Sequence, residues 1–152
     1  MMHTFSFKSE IWLPKAVDVI FTFFADPRNL QILTPHWLHF QILTEDPMVM
    51  RTGSLIDYRI SIHGIPWRWQ TRIDVWEPPY RFVDIQLKGP YTLWYHDHRF
   101  VPDDSGTTCL DRVEYAVPMG VWLDRLLVRP DIEKIFEFRR KKLKELFSTS
   151  SD

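Results

Sequence analysis

Hydrophobic and polar residues alternate through the middle of the chain, and the period changes near its end. Ile56, Tyr58, Ile60 and Ile62 alternate with Asp57, Arg59, Ser61 and His63, and after Gly64 the set Trp67, Trp69, Thr71, Ile73 and Val75 alternates with Arg68, Gln70, Arg72 and Asp74. A period of two predicts strands with one face covered and the other wet. Pro78 and Pro79 end that pair, Tyr80 to Lys88 and Thr92 to Val101 continue the meander, and Cys109, Asp111, Val113, Tyr115 and Val117 mark the inner face of a last strand. Upstream, Phe5, Phe7 and Ile11 suggest a first strand stopped by Pro14. Ala16, Val17, Ile20, Phe23 and Phe24 then take helical spacing. Asp26 and Pro27 start a second short turn with Leu30 and Leu33 inward, capped by the Asp side chain and stopped by Pro35. Leu38 to Leu43 reads as one short strand.

From Pro130 to Phe147 the apolar residues Ile132, Ile135, Phe136, Leu143, Leu146 and Phe147 recur at three- and four-residue steps. This is an amphipathic helix, and after a run of strands it must bury its stripe on their sheet. The fold class is α+β. Pro130 predicts a kink or restart near Val128 to Pro130. Arg139 falls on or beside the dry stripe, so it either snorkels outward along its own stem or faces something polar beneath the helix.

Composition narrows the function classes. The 152 residues fit one domain, assigned here to 1–148 with a short flexible tail at 149–152. Lys plus Arg total 19 against 20 for Asp plus Glu, so no basic field argues for nucleic acid. Seven Trp, five Tyr and eleven Phe point to an apolar interior. Cys109 is the only cysteine, which excludes an internal disulfide and fits a reducing compartment. The N-terminal residues lack a signal-peptide apolar core, and no run approaches a membrane span. The expectation is a cytoplasmic protein without stable membrane insertion.

Candidate chemistry lies on the last two strands. Asp97 and Arg99 suit the wet face, so Trp94, His96, His98 and Phe100 face the helix. Matching inner faces across the turn at PDDSG sets Asp111 opposite His98 or, one step over, beside His96, with Arg139 above them. Buried polar groups need partners, because each unpaired one costs about 1–3 kcal/mol. Three readings stay open. The groups satisfy one another as a buried network; or they orient the polar end of a ligand whose body lies among Tyr58, Trp69, Trp94, Phe100, Tyr115 and Phe136; or the His and Asp pair performs acid/base catalysis, with His96, His98 and Asp111 as its candidates. His96-x-His98 with Asp111 has a spacing that can ligate a metal, but no further ligand is evident, and the expectation is no metal and no cofactor. His36 and Trp37, near the cavity entrance, and Trp122, at the start of the C-terminal approach, read as ordinary packing or loop positions, and Cys109 as inert core.

The runs FFADPRNLQILTPHWLHF, FVDIQLKGPYTLWYHDHRF, DRVEYAVPMG and IFEFRRKKL, in that order, resemble the START-like or SRPBCC superfamily, and most closely its small ligand-binding members found alone or fused to a sugar-nucleotide-epimerase-like domain. The resemblance implies a helix-grip fold, a seven-stranded antiparallel sheet curved around a long C-terminal helix with two short helices after strand one and a deep cavity between sheet and helix. Relatives include lipid and hormone binders, polyketide cyclases and dehydratases, and coenzyme Q-binding proteins. The implied function is binding of a small hydrophobic or amphipathic molecule, lipid, isoprenoid or polyketide-like. A cyclase or dehydratase reaction and an accessory role on a protein partner, such as an epimerase-like domain, are the alternatives. The oligomeric state is left open. In the strand from Tyr80 to Lys88, alternation places Val83, Ile85 and Leu87 inside, whereas the family spacing singles out Phe82, Asp84 and Gln86. Either set fits, and a bulge near Gly89 can reverse the face.

Overall fold

The strand sequences settle into one antiparallel sheet whose inner face is set by a bulge. The computed structural model describes residues 3–46 and 48–148; the tail assigned to 149–152 lies outside the described residues. Seven strands, β1 (Phe5–Leu13), β2 (Gln41–Ile42), β3 (Leu55–Ile62), β4 (Ile65–Glu77), β5 (Arg81–Lys88), β6 (Leu93–Pro102) and β7 (Thr107–Ala116), are ordered β1-β7-β6-β5-β4-β3-β2. Two helices, α1 (Val17–Ala25) and α2 (Leu30–Leu33), follow β1, with a 3₁₀ turn at Pro27–Asn29 between them. The Asp26 carboxylate accepts the Arg28 N–H at 3.0 Å and caps that turn, as the sequence suggests.

In β4 the register shifts between Ile73 and Val75, leaving Asp74 unpaired. The strand's facing reverses there, so Val75 turns outward, against the simple alternation, and Trp76 turns inward to pack on Phe21 and Phe82 at ring distances of 5.1 and 5.5 Å. On β5, Asp84 pairs with Ile73 and Phe82 with Trp76, which places Phe82, Asp84 and Gln86 on the helix side. The open choice on this strand is thereby settled in favour of the family spacing. Val83 is buried on the other face, opposite Val75 and Asp97, while Leu87 is exposed.

A second difference concerns the stretch expected as a strand from Leu38 to Leu43. His36–Leu38 forms a 3₁₀ turn and His39 takes a left-handed φ of 48°, so only Gln41 and Ile42 pair with β3. The backbone N–H groups of Leu43 and Thr44 still reach the Asp57 carbonyl.

The C-terminal helix begins earlier than its apolar stripe. After α3 (Gly120–Leu123) the chain continues through a π-helical turn at Asp124–Val128 into α4 (Arg129–Phe147). Pro130 has no N–H to offer, and the expected interruption takes the form of this wider turn, in which the Arg129 N–H bonds the Asp124 carbonyl. Ile132, Phe136, Arg139 and Leu143 are the buried residues of α4, at steps of four, three and four. Leu146, expected in the stripe, is 43 % exposed, because the covered side of this last turn runs through Leu143 and Phe147, which packs on Phe23. Arg139 therefore occupies a slot of the dry stripe. Two apolar clusters flank it. Ile11, Leu13, Ile20, Phe21, Phe82, Phe100 and Leu143 pack at one end, and Val113, Tyr115, Val117, Ile132 and Phe136 at the other.

Tyr115 ties the π-helical turn to the sheet. Its hydroxyl donates to Asp124 Oδ1 at 2.6 Å, and both residues are buried. Tyr115→Phe leaves that carboxylate oxygen without its donor, so chemical denaturation should show a loss of about 1–2 kcal/mol. Among the described residues no helix is long and apolar enough to cross a membrane.

Candidate functional site: an apolar cavity with a polar floor

Because the sheet curves and α4 lies across it, the inner faces of β3 to β6 do not fully meet the helix. A cavity of about 670 Å³ remains between them. Leu33, Trp37, Ile56, Ile60, Ile132 and Ile135 are among its walls, so the elbow of short helices and α4 both contribute. Aromatic contacts stiffen one side: Tyr58 stacks on Trp69 at 5.7 Å, and Trp94 meets Trp69 edge-on at 5.6 Å. The Trp69 Nε1–H donates to Thr71 Oγ1 at 3.0 Å, which satisfies the indole and fixes its plane. Towards the β3–β4 hairpin, His63 Nε2 and Asp131 Oδ2 lie 2.8 Å apart, joining the hairpin tip to the first turn of α4.

The polar floor comes from β5, β6, β7 and α4. His98 on β6 sits opposite Asp111 on β7 in the strand register, and Asp84 on β5 sits opposite His96. The hydrogen bonds run diagonally to that register. His96 Nε2 lies 2.7 Å from Asp111 Oδ1, and His98 Nε2 lies 2.6 Å from Asp84 Oδ2. The two imidazoles stack with centroids 3.6 Å apart, and Phe82 stacks on the outer face of His98 at 4.0 Å. Arg139 Nη2 stands 3.7 Å from Asp111 Oδ1, with its guanidinium over the rings of Phe24 and Phe136. Arg139 points inward and is 8 % exposed, so the snorkelling alternative is not what the helix adopts.

Electrostatics follow from this crowding. Burial alone would raise both carboxyls, yet the His98 hydrogen bond and neighbouring positive charge hold Asp84 below its ordinary value. Arg139, followed by the His96 hydrogen bond, holds Asp111 well below. Burial, reinforced by His96, pushes His98 down to about 4 against the pull of Asp84 and Asp111. His98 is therefore neutral near neutral pH and donates through Nε2–H to Asp84. Its Nδ1 then carries a lone pair that faces Asp111 Oδ1 at 3.5 Å, which explains why that buried nitrogen has no hydrogen bond.

The sequence-derived residues divide by position. Tyr58, Trp69, Trp94 and Phe136 stand in the cavity walls, and Asp84, His96, His98 and Arg139 at its floor. Four others lie behind the lining. Asp111 is a support beneath the two imidazoles, while Phe100 and Tyr115 belong to the flanking apolar clusters. Gln86 bonds the backbone of Tyr91 through both ends of its amide, at 2.7 and 3.1 Å, and so holds Tyr91 in the wall. Sequence reasoning missed the Asp84–His98 pair, because the face of β5 depends on the bulge in β4. It also missed Tyr91, which falls outside the periodic stretches, and Phe40, whose stretch reads only as a short strand. Trp37 does line the cavity, whereas Trp122 is 71 % exposed and Cys109 is buried with its thiol pushed up to about 12 by burial and by Asp111.

Asp84, His96 and His98 offer ligand atoms within 4.8 Å of one another, a set different from the one suggested by the sequence. Stacked rings direct their in-plane lone pairs side by side, and each Nε2 is already bonded to a carboxylate. As arranged, the set is a hydrogen-bonded network.

Solved structures share this architecture at low identity. Protein CV1439 from Chromobacterium violaceum has a TM-score of 0.74 at 15% identity, covering 96% of this chain and 99% of that one. The Zhui aromatase/cyclase from Streptomyces sp. R1128 has a TM-score of 0.73 at 14% identity, covering 93% and 92%. A nucleoside-diphosphate sugar epimerase from Corynebacterium glutamicum matches at 19% identity with a TM-score of 0.67, over 91% of this chain but 28% of that one. No curated protein matches the chain. The family model described as polyketide cyclase/dehydrase and lipid transport matches residues 13–142, which take in six of the seven strands and most of α4. With the curved sheet, the gripped helix and the cavity between them, that match places the chain in the polyketide cyclase/dehydrase and lipid transport family.

Proposed function

We propose that this protein binds one small hydrophobic or amphipathic molecule, of lipid, isoprenoid or polyketide type, between the sheet and α4. The observation that carries the reading is the cavity of about 670 Å³ whose walls are mainly apolar and aromatic, with Asp84, His96, His98 and Arg139 gathered at its floor. A packed interior would leave few voids larger than a water molecule, so a space of this size is a feature to be filled. The buried, unpaired Cys109 supports a cytoplasmic setting.

Fluorescence titration with N-phenyl-1-naphthylamine, a neutral apolar probe, tests the reading. The expected result is saturable one-to-one binding. Leu30→Trp places an indole in the cavity wall, and overpacking of about 1–3 kcal/mol should weaken the probe by about tenfold or more. Absence of saturable binding, or equal binding by Leu30→Trp with its fold intact, would overturn the proposal.

A second reading, acid/base chemistry of the cyclase or dehydratase kind, rests on His96. Both nitrogens of His98 face carboxylates, but His96 is oriented by Asp111 through Nε2 and lines the cavity with its other side. It has the arrangement of a base held by a carboxylate. If this reading holds, His96→Ala abolishes turnover of a cyclisable polyketide analogue while leaving its affinity within about threefold. An association with an epimerase-like partner is supported only by the epimerase structure, in which a like fold forms part of a longer chain.

A further inference from the structure

The cavity floor carries more negative than positive charge, and outside the Arg139 guanidinium, whose Nε–H is buried without a hydrogen-bond partner, its free atoms are acceptors. Asp84 and Asp111 supply two carboxylates against the single guanidinium of Arg139, which already stands beside Asp111 at 3.7 Å. Asp84 accepts from His98 through Oδ2 only. Its other oxygen has no partner among the described residues, and the side chain keeps 17 % of its surface open although it lies between sheet and helix. That opening is the cavity, which Asp84 lines. His96 adds a second acceptor. An imidazole that donates Nε2–H to a carboxylate has, when neutral, a bare lone pair at Nδ1, and no described group bonds that nitrogen.

We propose that the floor formed by Asp84 and His96 selects ligands whose polar end is an uncharged hydrogen-bond donor, an alcohol, phenol or enol hydroxyl, and rejects free carboxylates and phosphates. This rests on the ligand-binding reading above and names the class of ligand. A hydroxyl at the floor donates to Asp84 Oδ1 or His96 Nδ1 and leaves the Arg139–Asp111 pair undisturbed. A carboxylate there would set a third anion against one guanidinium among buried side chains, and like charges repel most strongly where screening is weakest. Arg139 cannot turn fully to a ligand anion without abandoning Asp111, whose other basic neighbours within ion-pair distance are the imidazoles of His96 and His98.

Competition against bound N-phenyl-1-naphthylamine decides the matter, using three ligands of similar length: 1-decanol, its isomer nonyl methyl ether, which has an oxygen but no donor, and decanoate. Near neutral pH the alcohol should compete at least about tenfold better than the ether, since a site built to accept a hydroxyl proton discriminates against an analogue that lacks it. Decanoate should be the weakest. Asp84→Asn reverses the floor, because an amide that keeps its oxygen on His98 Nε2–H turns its NH₂ to the cavity. In that variant the ether and decanoate should gain on the alcohol until the preference falls within about threefold. An ether or a decanoate that competes as well as the alcohol in the unaltered protein overturns the inference while leaving the cavity reading intact. Failure of the probe itself to bind removes both. The comparison within the unaltered protein stands even if the variant does not fold.

Discussion

Arg139→Leu should lower the stability of the fold by about 3–5 kcal/mol, the loss expected when one partner of a buried ion pair is removed and the other remains. Chemical denaturation near neutral pH measures it. At 3.7 Å the Arg139 Nη2 is too far from Asp111 Oδ1 for a strong hydrogen bond, so its contribution is the through-space attraction of a guanidinium that is 8 % exposed. Without it, Asp84 and Asp111 share a dry site with no cation of fixed charge. Asp111→Asn combined with Arg139→Leu should regain most of the loss, since removing both charges removes the uncompensated one. The acid side follows the same logic. Asp111 is held below its ordinary value, against burial, first by Arg139. A depressed carboxylate stabilises the fold above its ordinary value, and that stabilisation is lost as pH falls through the folded value. Arg139→Leu should therefore unfold at a higher pH than the unaltered chain. A loss below about 1 kcal/mol would mean the pair behaves like a surface ion pair, and the role given to Arg139 would fall.

The same residue shows what could be read from the sequence. Its position in the stripe follows from counting, because Phe136, Arg139 and Leu143 repeat at helical steps, but the direction of its side chain does not. Long cationic chains usually run outward, and what draws this one in is Asp111 on a strand some distance away in sequence. The inner faces of β6 and β7 were legible because each has one clearly charged set, Asp97 and Arg99 on one strand, Arg112 and Glu114 on the other, although Asp97 is itself buried beneath Arg81 and Arg99. On β5 both sets contain apolar residues, and the choice between them was made by the unpaired Asp74 of β4. A bulge belongs to a pair of strands, so neither strand's sequence announces it alone. The walls contributed by Trp37 and Phe40 come from an irregular segment broken by the left-handed His39, which an expectation of a strand over Leu38 to Leu43 does not foresee.

The polar floor also depends on those long-range choices. Its five titratable members come from four elements, and each answers a need of another. Asp84 fixes the tautomer of His98, Asp111 orients His96 while Arg139 offsets its charge, and Phe82 packs the face of His98. The network lies between two apolar clusters, so it interrupts the core where the cavity begins. A continuous apolar stripe would have closed that space by packing α4 against the sheet.

His98→Gln should remove most of the pH dependence of stability between about pH 6.5 and 4. His98 is pushed from 6.5 to about 4, chiefly by burial and then by His96, although Asp84 and Asp111 pull the other way. Below 6.5 the unfolded chain takes up a proton that the folded chain refuses until about 4, so stability declines as pH falls across that window. At about 1.4 kcal/mol per pKa unit the decline attributable to this one imidazole is on the order of 3 kcal/mol. Gln offers an N–H to Asp84 in place of Nε2–H but does not titrate, so the carboxylate keeps a donor and the window loses its slope. Asp84 and Asp111, both lowered from 3.8, act only below that window, and their acid limb should survive the substitution. Denaturation midpoints taken through a buffer series would separate the two limbs. Parallel curves for the two proteins across the upper window would show that His98 titrates freely in the fold, and the neutral imidazole that holds Asp84 at the cavity floor would have to be abandoned.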